Sequence, residues 1–137
     1  MKNKDMALAW LKASYSDLVV IKEIVHNDYL SHMVAFHSQQ SIEKSFKAIL
    51  ELHTNRVPKK HDLLLLKDLV SEYIEVANED ILEDLNELYI DSRYPSSFGL
   101  LPQGKPTLEN AKEFYLFADS VFDMVCEFLN IKKEDII

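Results

Sequence analysis

An arginine and a histidine separated by four residues, Arg56 and His61, could together cleave RNA without a metal ion. Such cleavage needs a general base that takes the 2′-hydroxyl proton and a cation that stabilises the charge growing on the phosphate. His61 can supply the base and Arg56 the cation, while Lys59 and Lys60 would strengthen the attraction for an anion. The same spacing also fits a structural role, in which His61 caps a helix and Arg56 is a solvated loop cation.

These residues lie in a short connection that leads into a helix. Pro58 restricts Val57 to extended geometry, and a helix is predicted to begin at His61 or Asp62. A helix N-terminus disfavours a charged imidazolium and favours a bound phosphate. The position would therefore keep His61 neutral and available as a base.

Other common catalytic and cofactor-binding signatures are absent from the sequence. It contains no Gly-rich phosphate loop, no paired-cysteine knuckle and no nucleophile elbow. His32 and His37, five positions apart, would lie about 140° apart around a helix, so they could not readily share one metal ion. We therefore expect neither a metal site nor a cofactor.

The spacing of apolar residues predicts an all-α fold, an antiparallel up-and-down bundle of four to five helices in one domain over residues 1–137. Residues 131–137 are expected to form a frayed tail, the alternative being a small docking segment. The predicted helices run from about Asp5 to about His26, from Ser31 to about Thr54, from His61 or Asp62 through Ala77, from Asn78 to near Ser92, and from Thr107 to Leu129.

The second predicted helix has an unusual circumference, with a row of mostly small residues, a row of larger apolar residues and a polar stripe. Small side chains allow another helix to approach closely. We therefore expect this helix at the centre of the bundle, with one wet or ligand-facing side. The polar stripe consists of Gln40, Glu43, Lys44 and Lys47.

Residues 92–106 are predicted to form one long irregular loop, because they hold both glycines and three of the four prolines. Loops of this length in compact domains tend to be functional or disordered. Arg93, Tyr94 and Phe98 give this loop side chains that could bind a ligand or anchor the loop, and anchoring is the expectation.

Composition and charge exclude several classes of protein. The formal net charge of -8 argues against a basic surface for generic nucleic-acid binding. Residues 62–91 carry one basic and ten acidic side chains, and this acidic segment is either a solvated face or an interface. The single cysteine, Cys126, cannot form an internal disulfide. No apolar run long enough for a membrane span and no signal peptide are visible. We expect a cytoplasmic protein with no membrane association.

Several motifs, spread over most of the chain, together resemble the HEPN domain. Ala9-Trp10 and Asp17-Leu18 come first, followed by the run SQQSIEKSFKAIL at residues 38–50. Pro58 and the step His61-Asp62-Leu63 follow, and Ser92-Arg93-Tyr94-Pro95 comes later. The resemblance implies an antiparallel bundle of four or five helices that is commonly a homodimer.

The resemblance also implies an activity. Many HEPN proteins are metal-independent ribonucleases, often the toxins of toxin–antitoxin pairs whose other member is a small MNT-type nucleotidyltransferase. Their motif is an arginine separated from a histidine by four to six residues, which Arg56 and His61 match. By this resemblance, the Arg56 and His61 side chains of both subunits would form a site that acts on RNA.

Other members of the family resemble nucleotide-binding or scaffolding modules without demonstrated cleavage. In that interpretation Gln40, Lys44 and Lys47 would line a polar pocket with Arg93 and Tyr94, the lysines contacting phosphate and the tyrosine stacking on a base. Lys47 also lies four positions after Glu43 on a helix, so the two could instead form an ion pair.

Overall fold

The computed structural model describes residues 3–54, 56–91 and 105–137, and all regular structure in these ranges is helical. The predicted all-α bundle is confirmed. The helices are α1 (Lys4–Ile24), α2 (Ser31–His53), α3 (Leu63–Val70), α4 (Glu79–Asp91) and α5 (Leu108–Leu129), with short 3₁₀ turns at Asp28–Leu30 and Lys133–Asp135.

Helix α2 lies at the centre of the bundle, as its sequence predicts, and contacts α1, α3, α4 and α5. Its row of small residues is what admits α1. The Ser14 hydroxyl of α1 lies 2.8 Å from the Ser41 hydroxyl and 2.9 Å from the Ser45 hydroxyl, and all three serines are fully buried. Because these hydroxyls satisfy one another, the close approach of the two helices leaves none of the three unpaired.

Contacts along α2 show the direction of its neighbours. Trp10, in the first half of α1, contacts Glu51 near the end of α2, whereas Asp17, later in α1, contacts His37 in the first half of α2. Helix α1 therefore runs antiparallel to α2. At the other end of the bundle core, the Ser31 hydroxyl donates to the Pro106 carbonyl oxygen, which immediately precedes α5. The last turn of α5 packs beside the last turn of α2 through Phe128 and His53, so these two helices are parallel.

Local chemistry sets the helix starts that the sequence predicts. The Asp62 carboxylate accepts hydrogen bonds from the Leu64 and Leu65 amides at the start of α3, and Thr107 forms a reciprocal capping box with Asn110 at the start of α5. Helix α3, however, ends at Val70 and does not reach Ala77. After it, Ile74 and Val76 are buried while Glu75 between them is exposed, so this segment packs against the core without regular secondary structure.

The core is filled by aliphatic and aromatic side chains from every helix, with Phe46, Phe114 and Phe122 the largest. Burying each of these contributes about 1.5–3 kcal/mol. The C-terminal segment also packs against the bundle. Ile131 and Ile136 are buried, so the structure shows a docking segment where the sequence favoured a frayed tail. None of the described helices is both long and apolar enough to cross a membrane.

The thiol of Cys126 is expected to be unreactive at neutral pH. Burial, reinforced by the nearby Asp123 carboxylate, raises the pKa of the thiol from its usual 9.0 to about 11. The unfolded chain therefore loses this proton first as the pH rises, and the stability that the buried thiol contributes is complete below pH 9.0 and lost toward pH 11.

Urea unfolding of the wild-type protein and of Cys126→Ala, compared between about pH 8 and pH 11, measures this effect. The wild-type protein should lose more stability than the variant as the pH rises. Equal losses, or rapid alkylation of the folded protein by iodoacetamide at neutral pH, would contradict the assignment.

Candidate functional site

The buried carboxylate of Glu43, in the middle of α2, binds three groups. Both of its oxygens lie 3.1 Å from His61 Nδ1, and Oε2 lies 2.9 Å from the Lys47 ammonium. Oε1 also accepts a hydrogen bond of 3.1 Å from the Gln39 amide. We call these four residues, Gln39, Glu43, Lys47 and His61, the Glu43 cluster.

The backbone at His61 is held on both sides. The Gln39 side chain donates to the His61 carbonyl oxygen over 3.0 Å. On the other side, the Asp62 cap accepts a 2.8 Å hydrogen bond from Asn86 of α4, whose amide oxygen in turn accepts from the Leu63 amide. Helices α2 and α4 therefore together fix the point at which α3 begins, and with it the position of the imidazole.

The His61 ring is oriented for acid–base chemistry. Its Nδ1 faces the Glu43 carboxylate, which can only accept a hydrogen bond when ionised, so the Nδ1 proton is retained and Nε2 is left as the proton acceptor. The ring also packs against Tyr89, with the ring centroids 5.4 Å apart. At 48% exposure, the His61 side chain remains open to solvent while its carboxylate partner is only 6% exposed. An imidazole in this setting can take a proton from a bound substrate.

Lys47 is part of this network and not an open ligand contact. Its side chain is 5% exposed, and its ammonium lies 5.5 Å from the Trp10 ring centroid. The Trp10 indole is itself fixed by a 3.2 Å hydrogen bond to Glu51. Of the two possibilities open from the sequence, the structure contains the Glu43–Lys47 ion pair.

Gln40 and Lys44 lie on the same helix, one turn apart, and both are partly exposed. Lys44 is bound to the buried Asp17 carboxylate over 2.7 Å, and the other oxygen of Asp17 lies 2.9 Å from His37 Nδ1. The Gln40 side chain donates to the Gln39 amide oxygen, which links it to the Glu43 cluster. Gln40 therefore belongs to the hydrogen-bond network of the Glu43 cluster, whereas Lys44 belongs to a separate network with Asp17 and His37.

Arg56 lies in a different place. Together with Val57, Pro58, Lys59, Lys60 and Leu69 it lines a groove of about 650 Å³, which we call the basic groove. His61 is not among the described residues that line this groove. The joining of Arg56 and His61 in one site stays a prediction. The other two predicted ligand contacts, Arg93 and Tyr94, lie outside the described residues.

Sequence reasoning found His61 but missed its carboxylate. Glu43 was expected in the polar stripe, yet the residue that turns toward it comes from a separate segment eighteen positions later. The polar stripe itself indicated such a partner, because polar side chains on a central helix need hydrogen-bonding groups from neighbouring segments. The pairing of Asp17 with His37 was missed for the same reason. Within residues 3–54, 56–91 and 105–137, no group of three or more potential ligand side chains is placed to hold a metal ion.

Comparisons with known proteins agree over nearly the full length. The sequence model of the HEPN domain matches residues 7–131. A protein of Methanocaldococcus jannaschii that is named as a putative toxin is 30% identical over 142 residues, an alignment that covers 95% of this chain and 92% of that protein. No solved structure matches the chain significantly.

The Glu43 cluster is expected to stabilise the folded protein as well as to hold the His61 imidazole in position. Replacing Glu43 by alanine leaves the buried Lys47 ammonium without a counter-charge, which should cost about 3–5 kcal/mol of unfolding free energy. The control is Glu79→Ala, which breaks an ion pair between Lys67 and a carboxylate that is 64% exposed and should cost about 1 kcal/mol or less.

Urea unfolding of the two variants gives the comparison. The double variant Glu43→Ala/Lys47→Met, which removes the stranded charge, should recover part of the loss. Equal costs for Glu43→Ala and Glu79→Ala would show that the Glu43 carboxylate is not a buried partner of Lys47.

Proposed function

The chain belongs to the HEPN domain family, and from this we propose that it is the toxin of a toxin–antitoxin pair and cleaves RNA without a metal ion. The observation that carries the proposal is the contact between His61 Nδ1 and the buried Glu43 carboxylate. A carboxylate that holds one ring nitrogen leaves the other as the base, which is how histidines are activated in many hydrolytic sites.

In the proposed reaction, Nε2 of His61 takes the proton of a ribose 2′-hydroxyl, and the 2′-oxygen attacks the adjacent phosphorus. The bond from phosphorus to the 5′-oxygen breaks and the leaving oxygen takes a proton from water. The hydroxide that results takes the proton from His61, and a 2′,3′-cyclic phosphate remains. Glu43 stabilises the imidazolium that forms, because its negative charge is already in place and needs no reorganisation.

Arg56 is proposed to stabilise the charge that develops on the phosphate. In a single chain its guanidinium lies in the basic groove and not beside Glu43. The proposal therefore includes a homodimer, as the family resemblance implies, in which the Arg56 and His61 side chains of two subunits face one RNA strand.

The proposed antitoxin is an MNT-type nucleotidyltransferase. The support is the family resemblance together with the naming of the Methanocaldococcus jannaschii relative as a toxin. The nucleotidyltransferase would inhibit the nuclease by binding to it, and the proposed pair would act in the cytoplasm.

Nucleotide binding without cleavage is the second candidate function. It is favoured by Gln40 and Lys44, which are partly exposed, one turn apart and next to the Glu43 cluster. Lys44 could contact phosphate, although its ammonium is already bound to Asp17, and Arg93 and Tyr94 would be the other contacts of this proposal. Lys47 is buried against Glu43 and is not one of these contacts.

Single-stranded RNA incubated with the purified protein in EDTA should be cleaved, and His61→Ala should slow the cleavage about 10²- to 10⁴-fold, the usual contribution of a general base. Glu43→Gln should slow it as well, because the Nδ1 proton is no longer held by a charge. The control is His26→Ala, which removes an exposed imidazole at the end of α1 and should cleave RNA at the wild-type rate. Gel electrophoresis measures the rates, and thermal melting checks that each variant is folded.

Intact RNA after incubation with the wild-type protein, or full activity in folded His61→Ala, would reject the ribonuclease. If a nucleotide then raises the melting temperature of the wild-type protein but not of Lys44→Ala, the second candidate function is supported.

A further inference from the structure

The basic groove contains three cations that have no counter-charge. Arg56, Lys59 and Lys60 are all exposed, and in the part of the chain that the structure describes none of them takes part in an ion pair. The lysines of the polar stripe of α2 differ from these three cations, since Lys44 and Lys47 are each bound to a buried carboxylate. The three groove cations are therefore available to an external anion.

The remaining walls of the groove are aliphatic. Val57, Pro58 and Leu69 line it beside the cations. Leu69 is 42% exposed, and Leu65, one turn earlier on the same face of α3, is 38% exposed. These two leucines, four positions apart, form an apolar strip on a solvent-facing helix surface. Leaving this strip in water costs free energy, and that free energy is recovered when a partner covers the strip.

The combination of cations with aliphatic side chains favours an amphipathic helix over single-stranded nucleic acid as the molecule bound in the groove. Sites for single-stranded nucleic acid pair cations with aromatic side chains on which bases stack, and none of the residues that line this groove is aromatic. A helix that carries leucines on one face and carboxylates beside them satisfies both features of the groove, since the leucines pack on Leu65 and Leu69 and the carboxylates pair with the cations.

The charge of the whole chain adds selectivity. The formal net charge is -8, so the chain as a whole repels an acidic molecule. Arg56, Lys59 and Lys60 place three cations together in one groove. An acidic partner is therefore attracted to the groove against this overall repulsion.

We propose that the basic groove, formed by Arg56, Val57, Pro58, Lys59, Lys60 and Leu69, binds an acidic, leucine-containing amphipathic helix of a partner protein. The bound helix covers Arg56. If the proposed ribonuclease function holds, on which this consequence alone rests, occupation of the groove removes the cation from the RNA site and inhibits cleavage.

Selection from a displayed library of random peptides tests the binding without reference to activity. The wild-type protein is the target, and peptides that also bind Lys59→Glu/Lys60→Glu are removed. The retained peptides should be rich in Asp, Glu and Leu, and the double variant should bind them at least about tenfold more weakly by fluorescence anisotropy. The matched control is Lys12→Glu/Lys112→Glu, which reverses two exposed lysines elsewhere and should bind them as the wild-type protein does.

A second pair of variants tests the apolar contact. Leu69→Ser should weaken binding of the selected peptides, whereas Leu116→Ser, at a leucine that is 64% exposed on α5, should leave it unchanged. The proposal is overturned if no acidic peptide is selected, or if the selected peptides bind Lys59→Glu/Lys60→Glu as tightly as the wild-type protein. It is also overturned if the double variant loses binding of labelled oligouridylate and keeps binding of the peptides, since the groove would then be an RNA site.

Binding and cleavage give separate answers. A selected peptide that binds the groove supports the proposal even if the wild-type protein leaves RNA intact, in which case only the ribonuclease function is rejected. If RNA is cleaved, the same peptide at saturating concentration should slow cleavage by the wild-type protein.

Discussion

The structure depends on one buried negative charge. The Glu43 carboxylate lies inside a helical bundle at 6% exposure, where an ionised group without partners would cost several kcal/mol. Its partners come from the preceding and following turns of α2 and from the segment that leads into α3. Because the charge of Glu43 has to be compensated, the contact with His61 contributes to the folded state as well as to the proposed chemistry.

The remaining architecture makes that compensation possible. Serines on α2 and α1 let these two helices approach closely, and Asp17 and Trp10 of α1 contact the polar stripe of α2 at Lys44 and Lys47. The Asp62 cap and its hydrogen bond to Asn86 determine where α3 begins. Stability and the proposed function are therefore coupled at Glu43, whereas the cations of the basic groove, Arg56, Lys59 and Lys60, are exposed.

Helix positions could be predicted from the sequence, because apolar spacing and caps such as Asp62 and Thr107 are local signals. The end of α3 was missed, since burial of Ile74 and Val76 in a segment without regular secondary structure depends on tertiary packing. At the candidate site, His61 was identified from its residue type. Its pairing with Glu43 depends on how separate segments pack, which no local pattern contains.

The protonation of the His61 ring tests the central claim most directly. Long-range ¹H–¹⁵N NMR spectra recorded across a pH series distinguish the two tautomers of the neutral ring. We expect the neutral ring of the wild-type protein to carry the His61 proton on Nδ1, and Glu43→Gln to abolish this preference. A proton on Nε2 in the wild-type protein, or an Nδ1 preference that persists without the Glu43 charge, would contradict it.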